Sequence, residues 1–279
     1  MKFWISKRRK SFLGFALFGI VLSLGIVSSA HGQTFKIETT IYAGDEEQPV
    51  AQNVTLFQGN LIVDLKLDFA NPPNVLETKV YDARQKKVSL LDHERSFQVE
   101  ISDNQLLQMV DGLRRDISQR EELKFLVNET FTETQNLELS KVVLTSPSIR
   151  YEVIGSRPAD TAALKSHAEF LDIFTRLNAS TPGGFPPFAR LRLNQSIKQM
   201  GWIPSSVEIQ IAANVMMPGG LKMKSKHVLI DGLSQNDISK IENAKKQWLG
   251  YRSVSLLKFR GIEKTATLAE TVEESTKPR

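Results

Sequence analysis

Between Leu61 and Ile117 the hydrophobic period changes from 2 to about 3.6 residues, and few folds accommodate that change. Val63, Leu65 and Leu67 alternate with Asp64, Lys66 and Asp68; Leu76, Thr78 and Val80 alternate with Glu77, Lys79 and Tyr81; Phe97, Val99 and Ile101 alternate with Gln98 and Glu100. Such alternation gives a strand one apolar and one wet face, and the short link Asp82 to Lys86 makes antiparallel pairing in a meander the simplest arrangement. At Ile101 the pattern turns helical. Ser102 and Gln105 form a capping box, Ile101 and Leu106 a hydrophobic staple, and Leu106, Val110, Leu113 and Ile117 one stripe. The alternation predicts that Val63, Leu65, Val80, Val99 and Ile101 face one interior shared with Leu106, Val110 and Leu113.

The rest of the chain repeats these devices. Phe35 to Tyr42, Val54 to Phe57, Leu137 to Leu144, Ile149 to Val153, Val207 to Ala213 and Leu221 to Ile230 read as strands. Asn71-Pro72-Pro73-Asn74 interrupts the ladder, because proline has no N–H to donate. Leu123 to Thr134 fits either a strand or a helix tail. Asp160 can cap a helix through Leu164, Ala168, Leu171, Phe174 and Leu177, which stops at Ser180-Thr181-Pro182-Gly183-Gly184. Pro186-Pro187 opens a second helix, Phe188 to Met200, ended by Gly201. Ser234 with Asp237 is another capping box, and Tyr251 to Phe259 is a candidate last strand. The expected architecture is an α+β domain over residues 33–260, an antiparallel meander forming an open half-barrel with helices on its concave face, followed by a polar tail at 261–279 expected to be disordered.

Charge and termini bound the function. Lys2, Lys7, Arg8, Arg9 and Lys10 precede an apolar run from Phe12 to Val27 and a small-x-small site at Ala30-His31-Gly32. This is the pattern of a signal peptide over residues 1–32 with cleavage before Gln33, the alternative being an uncleaved anchor. The chain has 36 Lys plus Arg and 31 Asp plus Glu, and removing the leader's five basic residues leaves 31 against 31. The net charge of +5 thus resides in the leader, which removes the electrostatic case for nucleic acid. The absence of cysteine excludes disulfides, thiolate metal sites, a cysteine nucleophile and N-terminal cysteine acylation. The periplasm or cell envelope suits such an exported chain.

No catalytic or metal-binding pattern emerges. The three histidines beyond the leader, His93, His167 and His227, have no metal-ligand spacing, and there is no G-x-S-x-G, P-loop or dinucleotide fingerprint. Asp92-His93-Glu94-Arg95 reads as a solvated hairpin end, and Arg190, Arg192 and Lys198 as a solvated basic helix face. No enzymatic activity, cofactor or metal is expected. Phe185, Phe188, Trp202, Met216, Met217 and Met223 are soft or aromatic side chains near loops and helix ends, where an adaptable apolar site would place them; packing between helices and sheet is the alternative. Of these, Phe185, Phe188, Trp202, Met216 and Met217 are the candidate mouth of a groove, with Gly183 and Gly184 as a hinge.

The hairpin Val80-Tyr81-Asp82 through Lys87-Val88-Ser89-Leu90-Leu91-Asp92, followed by Phe97 to Ile101 and the capped helix, resembles the periplasmic lipoprotein-carrier (Lol-type) half-barrel. Leu90-Leu91-Asp92 with Arg95, and Pro187-Phe188-Ala189-Arg190-Leu191 with Leu193-Asn194, resemble uncharacterised exported proteins of planctomycete type. The second resemblance implies no activity. The first implies an open groove and no particular functional residue. Two functions follow as expectations: a groove that binds a lipid or acyl chain, or a non-enzymatic envelope scaffold that fills the groove with its own helices and engages a protein partner.

Overall fold

A computed structural model describes residues 34–158, 161–213 and 218–262. The expected signal peptide, the Asp160 cap, Met216, Met217 and nearly all of the polar tail lie outside the described residues. The strands are β1 (Thr34–Ala43), β2 (Ala51–Gln58), β3 (Leu61–Leu67), β4 (Val75–Asp82), β5 (Lys87–Asp92), β6 (Phe97–Ser102), β7 (Thr132–Asn136), β8 (Lys141–Thr145), β9 (Ile149–Ser156), β10 (Ile203–Ile211), β11 (Leu221–Asp231) and β12 (Arg252–Ser253). The helices are α1 (Asp103–Ser118), α2 (Phe125–Asn128), α3 (Thr161–Asn178), α4 (Phe188–Met200), α5 (Gln235–Gly250) and α6 (Leu256–Phe259). The twelve strands of the described residues join one open sheet in the order β12-β6-β5-β4-β3-β2-β1-β11-β10-β9-β8-β7. Every pairing is antiparallel except β12 with β6. The protein is therefore α+β with an unclosed, meander-rich sheet.

The sheet curves around α3. Lys79 of β4 lies 5.8 Å from the Phe174 ring, while Leu171, one helical turn earlier, belongs to the apolar cluster containing Tyr151 and Val153 of β9. Five strands separate β4 from β9, which would stand about 29 Å apart in a flat sheet. A helix with its side chains is only about 10–12 Å across, so the strands must wrap it. Phe170 contributes to both halves, packing edge-on to Phe57 of β2 with ring centroids 5.6 Å apart.

Both capping boxes form: Gln105 N–H donates to Ser102 and Asp237 N–H to Ser234, with each reciprocal side-chain contact present. Helix α4 ends at Gly201, whose φ of 65° is the left-handed value glycine tolerates. Leu106 joins the sheet cluster of Val88, Leu90, Val99 and Ile101, while Val110, Leu113 and Ile117 continue the stripe onto Phe188 of α4.

Three sequence expectations need correction. Val63, Leu65 and Val80 do not share an interior with Val99 and Leu106; they pack on the opposite sheet face against Ile241 and Ala244 of α5. Along β3 it is Ile62 and Asp64 that point to the concave side, opposite Tyr81 and Lys79. Beyond the footprint of α5 the convex face is wet, with Val228 and Ile154 exposed. Leu137 and Leu139 are not strand residues but exposed parts of the β7–β8 turn, and the ambiguous 123–134 region is a short 3-10 turn, α2 and the start of β7. Tyr251 to Phe259 supplies only the two residues of β12 before turning into α6. Among the described residues no helix is long and apolar enough to cross a membrane.

Candidate functional site

Alternation on the central strands places one residue in two on the concave side: Ile37, Thr39 and Ile41 of β1, Asn53 and Thr55 of β2, Asp64 of β3, Lys79 of β4, Tyr151 of β9, Val207 and Ile209 of β10, and Met223, Ser225 and His227 of β11. These residues form the floor of a cleft of ≈ 540 Å³. Its opposite wall is α3, through His167, Phe170, Leu171 and Phe174, and its rim is Phe185-Pro186-Pro187 with Arg190 of α4. The cleft exists because α3 covers the trough of a wide sheet without filling the middle strands β1, β11 and β10.

The polar groups in this apolar cleft form separate clusters. Asp64 accepts from Thr55 Oγ1 at 2.9 Å, Asn53 Nδ2 at 3.1 Å and Lys79 Nζ at 3.1 Å. Burial pulls the Lys79 ammonium downward, but Asp64 and Glu77 outweigh it and hold its pKa above the ordinary lysine value. On the floor, His227 Nδ1 lies 3.0 Å from Thr39 Oγ1 and its Nε2 2.9 Å from Ser225 Oγ. Burial, reinforced by the Arg190 charge, pushes His227 down to about 4. His167 falls to about 3 through burial, then through the neighbouring charges of His227 and Arg190. Both imidazoles are neutral at pH 7.

Among the described residues Arg190 is tethered at one point, its Nε donating to Asn194 Oδ1 at 3.0 Å. Asn194 is itself fixed, its Nδ2 donating to Asp172 Oδ1 at 3.1 Å and Thr175 Oγ1 at 3.2 Å. Arg190 is therefore part of the cleft, contrary to the solvated basic face expected of this helix.

Of the expected groove-mouth residues that are described, Phe185 lines the cleft, and Phe188 and Trp202 do not. Phe185 is half-buried on the cleft rim. Phe188 is buried on the other side of α4, stacked under the Arg114 guanidinium at 4.3 Å and packed with Val110 and Ile117. Trp202 is only 6% exposed and packs over Gly155, where a Cβ would approach Trp202 Cβ at 3.0 Å. Partial exposure of Phe188 and Trp202 at a pocket is thus overturned, and Met216 and Met217 fall outside the described residues. Gly183 has a φ of 73°, and a Cβ on Gly184 would lie 2.2 Å from the Asn178 carbonyl oxygen, so the 183–184 pair closes tightly over the end of α3. The Asp92 to Arg95 turn is not simply solvated. His93 bridges Thr78 Oγ1 at 2.7 Å and the Tyr251 hydroxyl at 2.8 Å, and Arg95 donates to Asp92 and to the backbone carbonyls of Lys258 and Phe259.

The polar cleft residues Asp64, Lys79, Tyr151, His167, Arg190 and His227 escaped the sequence reading. A weak signal existed in β1 and β11, where Thr39 and His227 occupy the same alternation phase as Ile37 and Leu229.

No family model matches this chain, and no curated protein matches it. Among solved structures, the chain is similar to PNGF-II in its C2 crystal form at 9% identity and a TM-score of 0.33, the likeness covering 82% of this chain and 32% of that one. The P21 form of PNGF-II gives 12% identity and a TM-score of 0.30, with 73% and 30% covered. The chain thus spans about a third of the length of PNGF-II. It is also similar to the LolA superfamily protein NE2245 from Nitrosomonas europaea, at 9% identity and a TM-score of 0.27, over 74% of this chain and 90% of that one.

Proposed function

We propose that this protein is an exported, non-enzymatic carrier that holds a lipid or other acyl-chain ligand between the concave sheet face and α3. The observation that carries this reading is the cleft itself. At ≈ 540 Å³ it falls in the roughly 300–1,000 Å³ range of small-molecule sites, and Ile37, Ile41, Phe170, Phe174, Val207 and Ile209 make its lining chiefly apolar. Each methylene withdrawn from water contributes about 0.8 kcal/mol, so a chain of several carbons is held firmly. The histidine cluster favours binding over hydrolysis. His227 meets a hydroxyl at each nitrogen, no carboxylate among the described residues hydrogen-bonds to its ring, and burial with the Arg190 charge opposes the imidazolium that a general base must become.

The test is binding of a fluorescent fatty acid to purified, delipidated protein, with displacement by lipid extracted from native envelopes. Phe185→Asp, on the rim, should weaken binding more than it lowers stability. Folded protein that binds no acyl probe at micromolar concentration would end the carrier reading. An envelope scaffold would replace it, a reading favoured by the extent to which α1, α3 and α4 already occupy the concave side. Export rests on the leader pattern, and N-terminal sequencing of protein from its native host should begin at or near Gln33. Retention of Lys7 to Lys10 would indicate an anchor instead.

A further inference from the structure

We infer that the ligand of this cleft is an anionic amphiphile, an acyl chain whose terminal carboxylate or phosphate is received by Arg190 with Tyr151. The inference rests on the acyl-binding reading above and adds the chemistry of the ligand's polar end. Arg190 lines the cleft, yet its two terminal nitrogens make no hydrogen bond or ion pair among the described residues. The tether at Nε leaves the paired Nη donors, which suit the two oxygens of a carboxylate or phosphate. A guanidinium remains charged at any physiological pH, and one drawn into an apolar cleft without a counterion is costly until an anion joins it. The Tyr151 hydroxyl, also on the cleft, has no hydrogen-bond partner among the described residues and can add a donor.

Charge balance points the same way. Among the described residues, Lys66 and Arg190 line the cleft with no acidic lining residue left to match them, because Asp64, the one carboxylate of the lining, is already engaged by Lys79, Thr55 and Asn53. The apolar floor of Ile37, Val207 and Ile209 accommodates the chain. A neutral glyceride or alcohol would leave Arg190 unmatched, so the cleft should discriminate by headgroup charge as well as by chain.

The test uses the neutral fluorophore N-phenylnaphthylamine bound to delipidated protein and displaced by palmitate, by lysophosphatidate or by hexadecanol. At least one anionic amphiphile should compete about tenfold to hundredfold better than hexadecanol, the usual worth of a hydrogen-bonded charge. Whichever of palmitate and lysophosphatidate competes better identifies the carboxylate or the phosphate as the natural terminus. Arg190→Gln should abolish the preference while leaving hexadecanol competition intact, and Tyr151→Phe, whose ring is retained, should reduce it. Equal competition by hexadecanol and both anions, or a preference that survives Arg190→Gln, overturns the inference and leaves acyl binding standing. Failure of all three amphiphiles to displace the fluorophore, or of the fluorophore to bind, overturns the acyl reading and the inference with it. If Arg190→Gln does not fold, the wild-type comparison and Tyr151→Phe decide.

Discussion

Lys79 Nζ lies 3.1 Å from Asp64 Oδ2 across the β3–β4 register, and both side chains turn inward to the concave face of the sheet. The pair is nearly dry, with side-chain exposures of 13% and 5%. Its geometry reverses the simplest expectation for strand β3, in which the charged residues of an alternating pattern face water. Removing one member of such a pair strands the other, so Lys79→Ala should cost about 3–5 kcal/mol in denaturant unfolding. The double replacement Asp64→Leu with Lys79→Met should cost clearly less than the sum of the single changes. Additive losses would show that the two charges do not stabilise each other.

Helix α1 covers the concave side at β6 and α5 the convex side at β2 to β4, which predicts two independent sensitivities. Val99→Asp places an unpaired carboxylate beside Leu106 and should cost several kcal/mol, enough to unfold a domain of ordinary stability of roughly 5–15 kcal/mol. Ile241→Ala, on the sheet-facing side of α5 at the opposite face, should cost about 2–5 kcal/mol through the cavity it leaves. A thermal melt unchanged by Ile241→Ala would mean that α5 does not seal the convex side.

His167 and His227 make stability depend on acid. Their folded pKa values, about 3 and about 4, lie below the ordinary value of 6.5 because burial disfavours the imidazolium. The unfolded chain therefore binds more protons below pH 6.5. Stability is full above that pH and falls as pH drops through the window from about 6.5 towards 4 and 3, by up to about 1.4 kcal/mol per pH unit for His167. Urea midpoints measured between pH 7 and pH 5 should show the decline, and His167→Phe should flatten it. An equal decline in that variant would assign the acid sensitivity elsewhere.

Arg95 ties the end of the described chain to the sheet. Its guanidinium binds the Asp92 carboxylate, lies 5.3 Å from the Phe97 ring and 5.7 Å from the Phe259 ring, and donates to two carbonyls of α6. Arg95→Ala should cost about 1–3 kcal/mol and speed amide exchange from Arg252 to Phe259 well above that of β5. Exchange in α6 that matches the wild type would show that His93 and Tyr251 suffice to hold the segment.

Local chemistry by itself determined much of this protein. The period change at Ile101, the capping boxes at Ser102 and Ser234, and the breaks at Gly183 and Gly201 are short-range effects of backbone geometry and side-chain hydrogen bonding, and the elements they delimit form where the pattern places them. The antiparallel meander follows from the same information, because short links leave strands little choice of partner. Which face of β3 is inner was decided only in three dimensions. Alternation defines two faces but not which is enclosed, and α5, distant in sequence, supplied a second apolar layer for Val63 and Leu65 while the curl of the sheet buried Asp64. The cleft was equally beyond the sequence. It joins Lys79, Tyr151, Arg190 and His227 from strands and a helix far apart in the chain, and a buried, paired polar residue has the same letter in a sequence as one in water. Phe188 and Trp202 show the converse, since aromatic side chains near helix ends suit a ligand or the core, and only the packing of α1 against α4 and of Trp202 over Gly155 assigns both to the core.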